Sequence, residues 1–143
     1  MQVQDGMSEM VLTVGPGHTL RHAAREMSER KVGAAIVLDP DGEGPSIITE
    51  RDILDAVGAG QDPDAEKVGD HLVRDIVMAA PNWSLERAAS EMVRRRFRHL
   101  VVIDGPDIVG ILSMRDIVRV WTSDGATCDM PSAEAGAEAE AAA

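Results

Sequence analysis

The sequence predicts an α+β fold in which two βαββα repeats pack as a pseudo-two-fold pair. Three observations carry that prediction. The first is an internal repeat. VLTVGPGHTLRHAAREMSERKVGAAIVLD, Val11 to Asp39, lies without a gap on IVMAAPNWSLERAASEMVRRRFRHLVVID, Ile76 to Asp104, at a constant offset of 65. Pro16 falls on Pro81, Leu20 on Leu85, Glu26-Met27 on Glu91-Met92 and Asp39 on Asp104. Beyond a turn one residue shorter in the second copy the offset is 64, and IITERDIL lies on ILSMRDIV, with Thr49 on Ser113 and Asp52 on Asp116. The second observation is a helical apolar stripe in each copy: Leu20, Ala23, Ala24 and Met27, and Leu85, Ala88, Ala89, Met92 and Val93. The third is a pair of short apolar runs after each stripe, joined by turn residues.

Each element then has its reason. A short β-rich piece, Val11–Val14 or Ile76–Met78, runs into a turn containing Pro16 or Pro81. Thr19 and Ser84 stand where helix N-caps belong. The first helix ends at Lys31-Val32-Gly33 in one copy and near Arg96 in the other. The runs AAIVLD and SIITE, and LVVID and VGILS, flank the turns PDGEG and GPD and form hairpins. A second helix begins at Asp52 or Asp116. The boundaries are 1–60 for the first repeat, 61–67 for a linker cut from the Gly/Pro/Asp-rich GAGQDPDAE, and 68–122 for the second repeat. Residues 123–143 form a tail with five acids and no Lys or Arg, read as disordered or weakly helical.

Composition narrows the function. A chain of 143 residues can bury a core without disulfide or metal support. The formal charge of -11 and the presence of only Phe97, Trp83 and Trp121 as aromatics argue against nucleic-acid binding, which needs phosphate neutralisation or stacking platforms. The start, MQVQDGMSEM, has no secretory pattern, and no apolar run reaches membrane-spanning length. With one cysteine, Cys128, these features predict a cytoplasmic protein. His18, His22, His71 and His99 lack metal-ligand spacing, Cys128 has no histidine partner nearby, and no Gly-rich phosphate loop is present. The expectation is therefore no enzyme, no catalytic residue, no metal and no catalytic cofactor.

The doubled βαββα order, with SIITERD (Ser46 to Asp52) and GILSMRD (Gly110 to Asp116) closing the units, resembles a tandem CBS-domain pair, or Bateman module, over residues 3 to 121. The resemblance implies two clefts between the units that bind adenosyl ligands: AMP, ADP or ATP foremost, with NAD and S-adenosylmethionine as alternatives. In that family the motif Asp accepts from ribose hydroxyls and the Thr/Ser hydroxyl holds ribose or phosphate. The carried-over ribose and phosphate residues are Thr49, Arg51, Asp52, Ser113, Arg115 and Asp116, with Val11 and Ile76 near the adenine. A carboxylate can accept both donors of a cis-diol, so the chemistry is sound. The same TERD and SMRD tetrads also read as capping boxes, and the two roles are compatible.

RRRFRH, Arg94 to His99, divides in two. Arg95 and Arg96 lie on Arg30 and Lys31 and read as dipole-favouring residues of a helix end. Arg98 and His99 lie on Gly33 and Ala34, and RHLVV resembles the family's RHLPVV, whose first residues approach ligand phosphates. Ser46 stands where the second unit has Gly110, and its side chain is expected to crowd a ligand-facing backbone. The cleft served by Ser113, Asp116, Arg98 and His99 is thus expected to be the better one. The resemblance also implies a homodimer, with Val118, Val120 and Trp121 as interface candidates, and an effector protein the sequence does not name. The rival reading is a dimerising interaction module that binds no ligand.

Overall fold

A computed structural model describes residues 1–42, 44–72 and 76–123. The tail from 124 on, with Cys128, lies outside the described residues. The elements in chain order are α1 (Val3–Gly6), β1 (Thr13–Val14), α2 (Leu20–Arg30), β2 (Ala34–Val37), β3 (Ser46–Thr49) and α3 (Glu50–Gly58). A 3-10 turn at Val68–Asp70 precedes β4 (Met78–Ala79), α4 (Leu85–Arg95), β5 (His99–Asp104), β6 (Asp107–Ser113) and α5 (Met114–Ser123). The two sheets have the same topology. In each the first strand pairs parallel with the second, and the second pairs antiparallel with the third.

Why the strands read as unbroken apolar runs is clear from burial. Ala35, Val37 and Ile48 face the helices of the first unit, while Ala34, Ile36 and Ile47 face the other sheet. Leu100, Val102 and Leu112 face the second unit's helices, and Val101 the first sheet. Strands covered on both sides cannot alternate apolar with polar residues. Each fully buried Leu or Ile contributes roughly 1.5–3 kcal/mol, so the inter-sheet layer is a major source of cohesion.

The predicted caps form. Thr19 Oγ1 accepts from the His22 amide and Ser84 Oγ from the Arg87 amide, each at 3.1 Å. Leu20, Ala23, Met27, Leu85, Ala88 and Met92 are buried as the stripes require. Val93 is not: it is 72% exposed, because its position falls past the edge of the stripe. The second helices begin at Glu50 and Met114, two residues before the predicted Asp52 and Asp116, since Thr49 and Ser113 are the residues that cap them.

One arrangement was not legible in the sequence: the segments leading into each unit are exchanged. Val3 is fully buried in the second unit's core. Its amide donates to the Trp83 carbonyl at 2.8 Å, and Ser8 pairs with Ile111 on the outer edge of β6. Conversely, Val68 and Leu72 pack in the first unit's core. The segment read as a linker lies along the start of α2, where the Leu20 amide donates to the Glu66 carbonyl and the Arg21 amide to the Pro63 carbonyl, each at 3.0 Å. Gly110 owes its identity to this exchange. A Cβ there would lie 2.7 Å from the Ser8 carbonyl oxygen, so the glycine makes room for the lead-in segment and not for a ligand. Ser46 is buried opposite Val37 and lines neither cleft described below, which removes the expected crowding.

Candidate functional site

Both motifs cap their helices, reciprocally at Ser113–Asp116 and through Asp52 alone at Thr49–Asp52. Asp116 Oδ2 accepts from the Ser113 amide at 2.8 Å, and Ser113 Oγ accepts from the Asp116 amide at 3.0 Å. Asp52 Oδ2 accepts from the Thr49 amide at 2.8 Å and from Thr49 Oγ1 at 3.0 Å. One oxygen of each carboxylate is thus committed to the backbone. Asp116 Oδ1 has only a 3.4 Å approach from Arg119, and Asp52 Oδ1 has no partner among the described residues. The capping role and an acceptor role toward a diol coexist in the same side chain.

Opposite the motifs stand the turns that follow α2 and α4. Lys31 and Arg96 adopt left-handed backbone conformations, with φ of 55° and 61°. The Val32 amide donates to Met27, and the Phe97 amide to Met92, each at 3.0 Å. This closure turns the chain sharply from helix into strand. It brings Lys31-Val32-Gly33-Ala34 from one unit, and Arg96-Phe97-Arg98-His99 from the other, to the mouths of two clefts.

The first cleft, about 340 Å³, sets Ser113, Arg115 and Asp116 against Lys31 and Gly33, with Val11, Leu12 and Ile111 as an apolar wall. The second, about 410 Å³, sets Thr49, Arg51 and Asp52 against Arg96, Phe97 and Arg98. Both volumes suit a nucleotide-sized ligand. Val11 lines the first cleft as expected. Ile76 packs against the inter-sheet layer and is not in the lining of the second. Arg98 and His99 line both clefts, so they do not single out the Ser113–Asp116 cleft.

The arginine run divides one residue earlier than expected. Arg94 and Arg95 pair with Glu91, at 2.9 and 3.4 Å, on the helix surface. Arg96, read as a helix-end residue, instead lines the second cleft. Arg51 also lines that cleft while pairing with Asp55 at 3.3 Å. His99 is half-buried, and burial holds its pKa below the ordinary value of 6.5. Glu50 and Asp116 pull it up, and Arg98 and Arg115 push it further down. Lys31, Glu50 and Arg96 are cleft residues that the family motifs did not point to. The repeat alignment of Lys31 with Arg96, at the C-cap of each first helix, was the signal available for two of them.

Comparison with known proteins agrees with this architecture. The CBS domain profile matches residues 2–59 and 68–123. The uncharacterized protein MJ1225 of Methanocaldococcus jannaschii is 32% identical over 124 residues, covering 87% of this chain and 44% of that one. The chain thus spans less than half of that relative. The hexameric CBS-CP12 protein from bloom-forming cyanobacteria superposes with a TM-score of 0.77 at 31% identity, over 82% of this chain and 69% of that chain. The CBS domain pair of MJ0100, solved with 5'-methylthioadenosine and S-adenosyl-L-methionine, matches with a TM-score of 0.77 over 87% of this chain and 98% of that one. At 21% identity that likeness establishes the fold.

Proposed function

The chain belongs to the CBS-domain family, and from that premise we propose that it is a regulatory ligand sensor whose clefts bind an adenine nucleotide, AMP, ADP or ATP. One observation carries the reading: each Thr/Ser-x-x-Asp motif faces, across a nucleotide-sized cleft, the cation-bearing turn of the opposite unit. Asp52 offers a carboxylate oxygen without a partner among the described residues to ribose hydroxyls, and Asp116 offers one held only by Arg119 at 3.4 Å. Ser113 Oγ accepts the Asp116 amide and so keeps its own proton for a ligand oxygen. Lys31, Arg98 and Arg115 in the first cleft, and Arg51, Arg96 and Arg98 in the second, favour a phosphate-bearing ligand over a cationic one such as S-adenosylmethionine, one of the two ligands in the MJ0100 structure. Val11 supplies an apolar surface for the base. The bound ligand acts by shifting an equilibrium, either with an effector protein or of the chain's own association, through unequal affinity for its two states.

Thermal unfolding against AMP, ADP, ATP, NAD and S-adenosylmethionine tests this, beside Asp116→Asn and Asp52→Asn, which retain a capping acceptor. A ligand at a hundred times its Kd stabilises by about 2.7 kcal/mol, a shift of several degrees. The reading requires a shift with at least one phosphate-bearing ligand that shrinks in the Asn variants. No shift with any of the five sinks it.

A second reading has its own observation. Leu54 and Val57 on α3, and their repeat counterparts Val118 and Trp121 on α5, are all exposed by 42% or more. The same apolar pair, displayed once by each unit, suits a two-fold contact with a second copy of the chain. Val120, an interface candidate from the sequence, is excluded because it is buried in the second core.

A further inference from the structure

The wall between the two clefts is built once and used twice. Glu50, Arg98 and His99 line both clefts. Their repeat counterparts are Met114, Gly33 and Ala34, none of them charged. The pseudo-two-fold that repeats the Thr/Ser-x-x-Asp motifs and the Lys31/Arg96 turns therefore does not repeat the Glu50 carboxylate or the Arg98 guanidinium. The backbone scaffold beneath them is symmetric: the Glu50 amide donates to the Gly33 carbonyl, and the Met114 amide to the Arg98 carbonyl, each at 2.9 Å. Gly33 is the gap across which the groups approach. A Cβ there would lie 3.3 Å from the Glu50 carboxyl and 3.4 Å from His99 Nε2.

We propose that the two clefts are antagonistic toward phosphate-bearing ligands, with Glu50 as the residue that sets the antagonism. This rests on the nucleotide reading above and adds a property to it. A phosphate in either cleft draws the single Arg98–His99 pair toward itself. A phosphate arriving in the other cleft then meets the Glu50 carboxylate with Arg98, the cation the two clefts share, already engaged, and meets the first phosphate's charge as well. Like charges separated by a wall one side chain thick, partly screened by solvent, weaken the second binding step by about tenfold. An uncharged residue at position 50, such as the methionine that the second unit carries at 114, would remove the carboxylate's share of this effect and leave the repulsion between the two phosphates.

Calorimetric titration of the whole chain with ATP tests it. Asp52→Asn and Asp116→Asn each leave one cleft with an intact motif and give its single-cleft dissociation constant. Independent clefts require the product of those two constants to equal the product of the two wild-type stepwise constants. Antagonism makes the wild-type product about tenfold larger, or hides the second step altogether while both variants still bind one ATP. Glu50→Gln, at an exposed position in the first turn of α3, brings the two products closer together. Equal products in the wild type, a ratio that Glu50→Gln leaves unchanged, or binding confined to one of the two Asp variants overturns the antagonism and leaves the nucleotide reading standing. No binding of any nucleotide to the wild type overturns that reading and this inference with it.

Discussion

Replacing Ser113 by alanine removes the acceptor 3.0 Å from the Asp116 amide and uncaps α5. The expected loss is about 1 kcal/mol in urea unfolding, whether or not a ligand ever binds. Stability alone therefore cannot separate cap from clamp. Titration can: Ser113→Gly, which costs a helix only a few tenths of a kcal/mol, should weaken nucleotide binding while leaving the unfolding midpoint nearly unchanged. His99 supplies a test by pH. Burial lowers its folded-state pKa, so below 6.5 the unfolded chain takes up a proton that the folded chain resists. Its contribution to stability is present in full above the unfolded value and is lost as pH falls toward the folded one. Glu50 and Asp116 temper the effect, and Arg98 and Arg115 reinforce it. His99→Gln should flatten the decline in unfolding midpoint between pH 7.5 and 5.5, and an unchanged decline would show that other groups dominate. The sequence made Ser113, Asp116, Arg98 and His99 visible because their types and order follow a motif. Glu50 stayed hidden because nothing in its local sequence distinguishes it from any acid in a helix's first turn, and only the meeting of the two units places it in both clefts.

The helices and hairpins were legible because their patterns are local: a cap, a stripe of spacing three and four, an apolar run and a turn. The short segment Val3–Gly6 was not, because MQVQDGMSEM carries one strongly buried apolar residue and no period. Its position is fixed by partners over seventy residues away, through the Val3 amide on Trp83 and Ser8 on Ile111. The glycine in GILSMRD was visible as a motif residue but was assigned the wrong neighbour, since only the folded chain shows that Ser8 crosses above it. Gly110→Ala tests that assignment. A methyl group 2.7 Å from a backbone oxygen and 2.9 Å from Met7 Sδ forces the lead-in segment outward, at about 1–3 kcal/mol. Because Ser8 and Met10 line the first cleft, the same change should weaken ligand binding there. Ser46→Gly, at the counterpart position, should leave both clefts as they are. Equal effects at the two positions would return the glycine to the ligand.

The exchanged segments and the shared inter-sheet layer bind the two repeats into one unit. Cutting the chain at residue 60 would strand Val3 without its core and deprive the first core of Val68 and Leu72. It would also expose Ile36 and Ile47, which face the other sheet. The intact chain should therefore unfold in urea in a single transition by both circular dichroism and tryptophan fluorescence, whose reporters Trp83 and Trp121 lie in the second repeat alone. Two separated transitions would mean that the sheets part before the repeats melt. The proposed sensor needs an output, and among the described residues α3 and α5 each display an apolar pair, Leu54 with Val57 and Val118 with Trp121. Leu54 is 61% exposed and Trp121 42%, at sites where a lone monomer gains nothing from an apolar side chain. If a second copy covers them, Leu54→Glu with Trp121→Glu places like charges across a two-fold and should convert a dimer to a monomer in sedimentation velocity. Both positions lie outside the cores, so the double variant should keep the parent's circular dichroism and its nucleotide affinity. A parent that sediments as a monomer at high concentration, or a variant that stays dimeric, would leave the output to an effector protein. A dimer whose dissociation constant shifts with ATP in the parent, and not in Asp116→Asn, would tie cleft to interface and make association itself the signal.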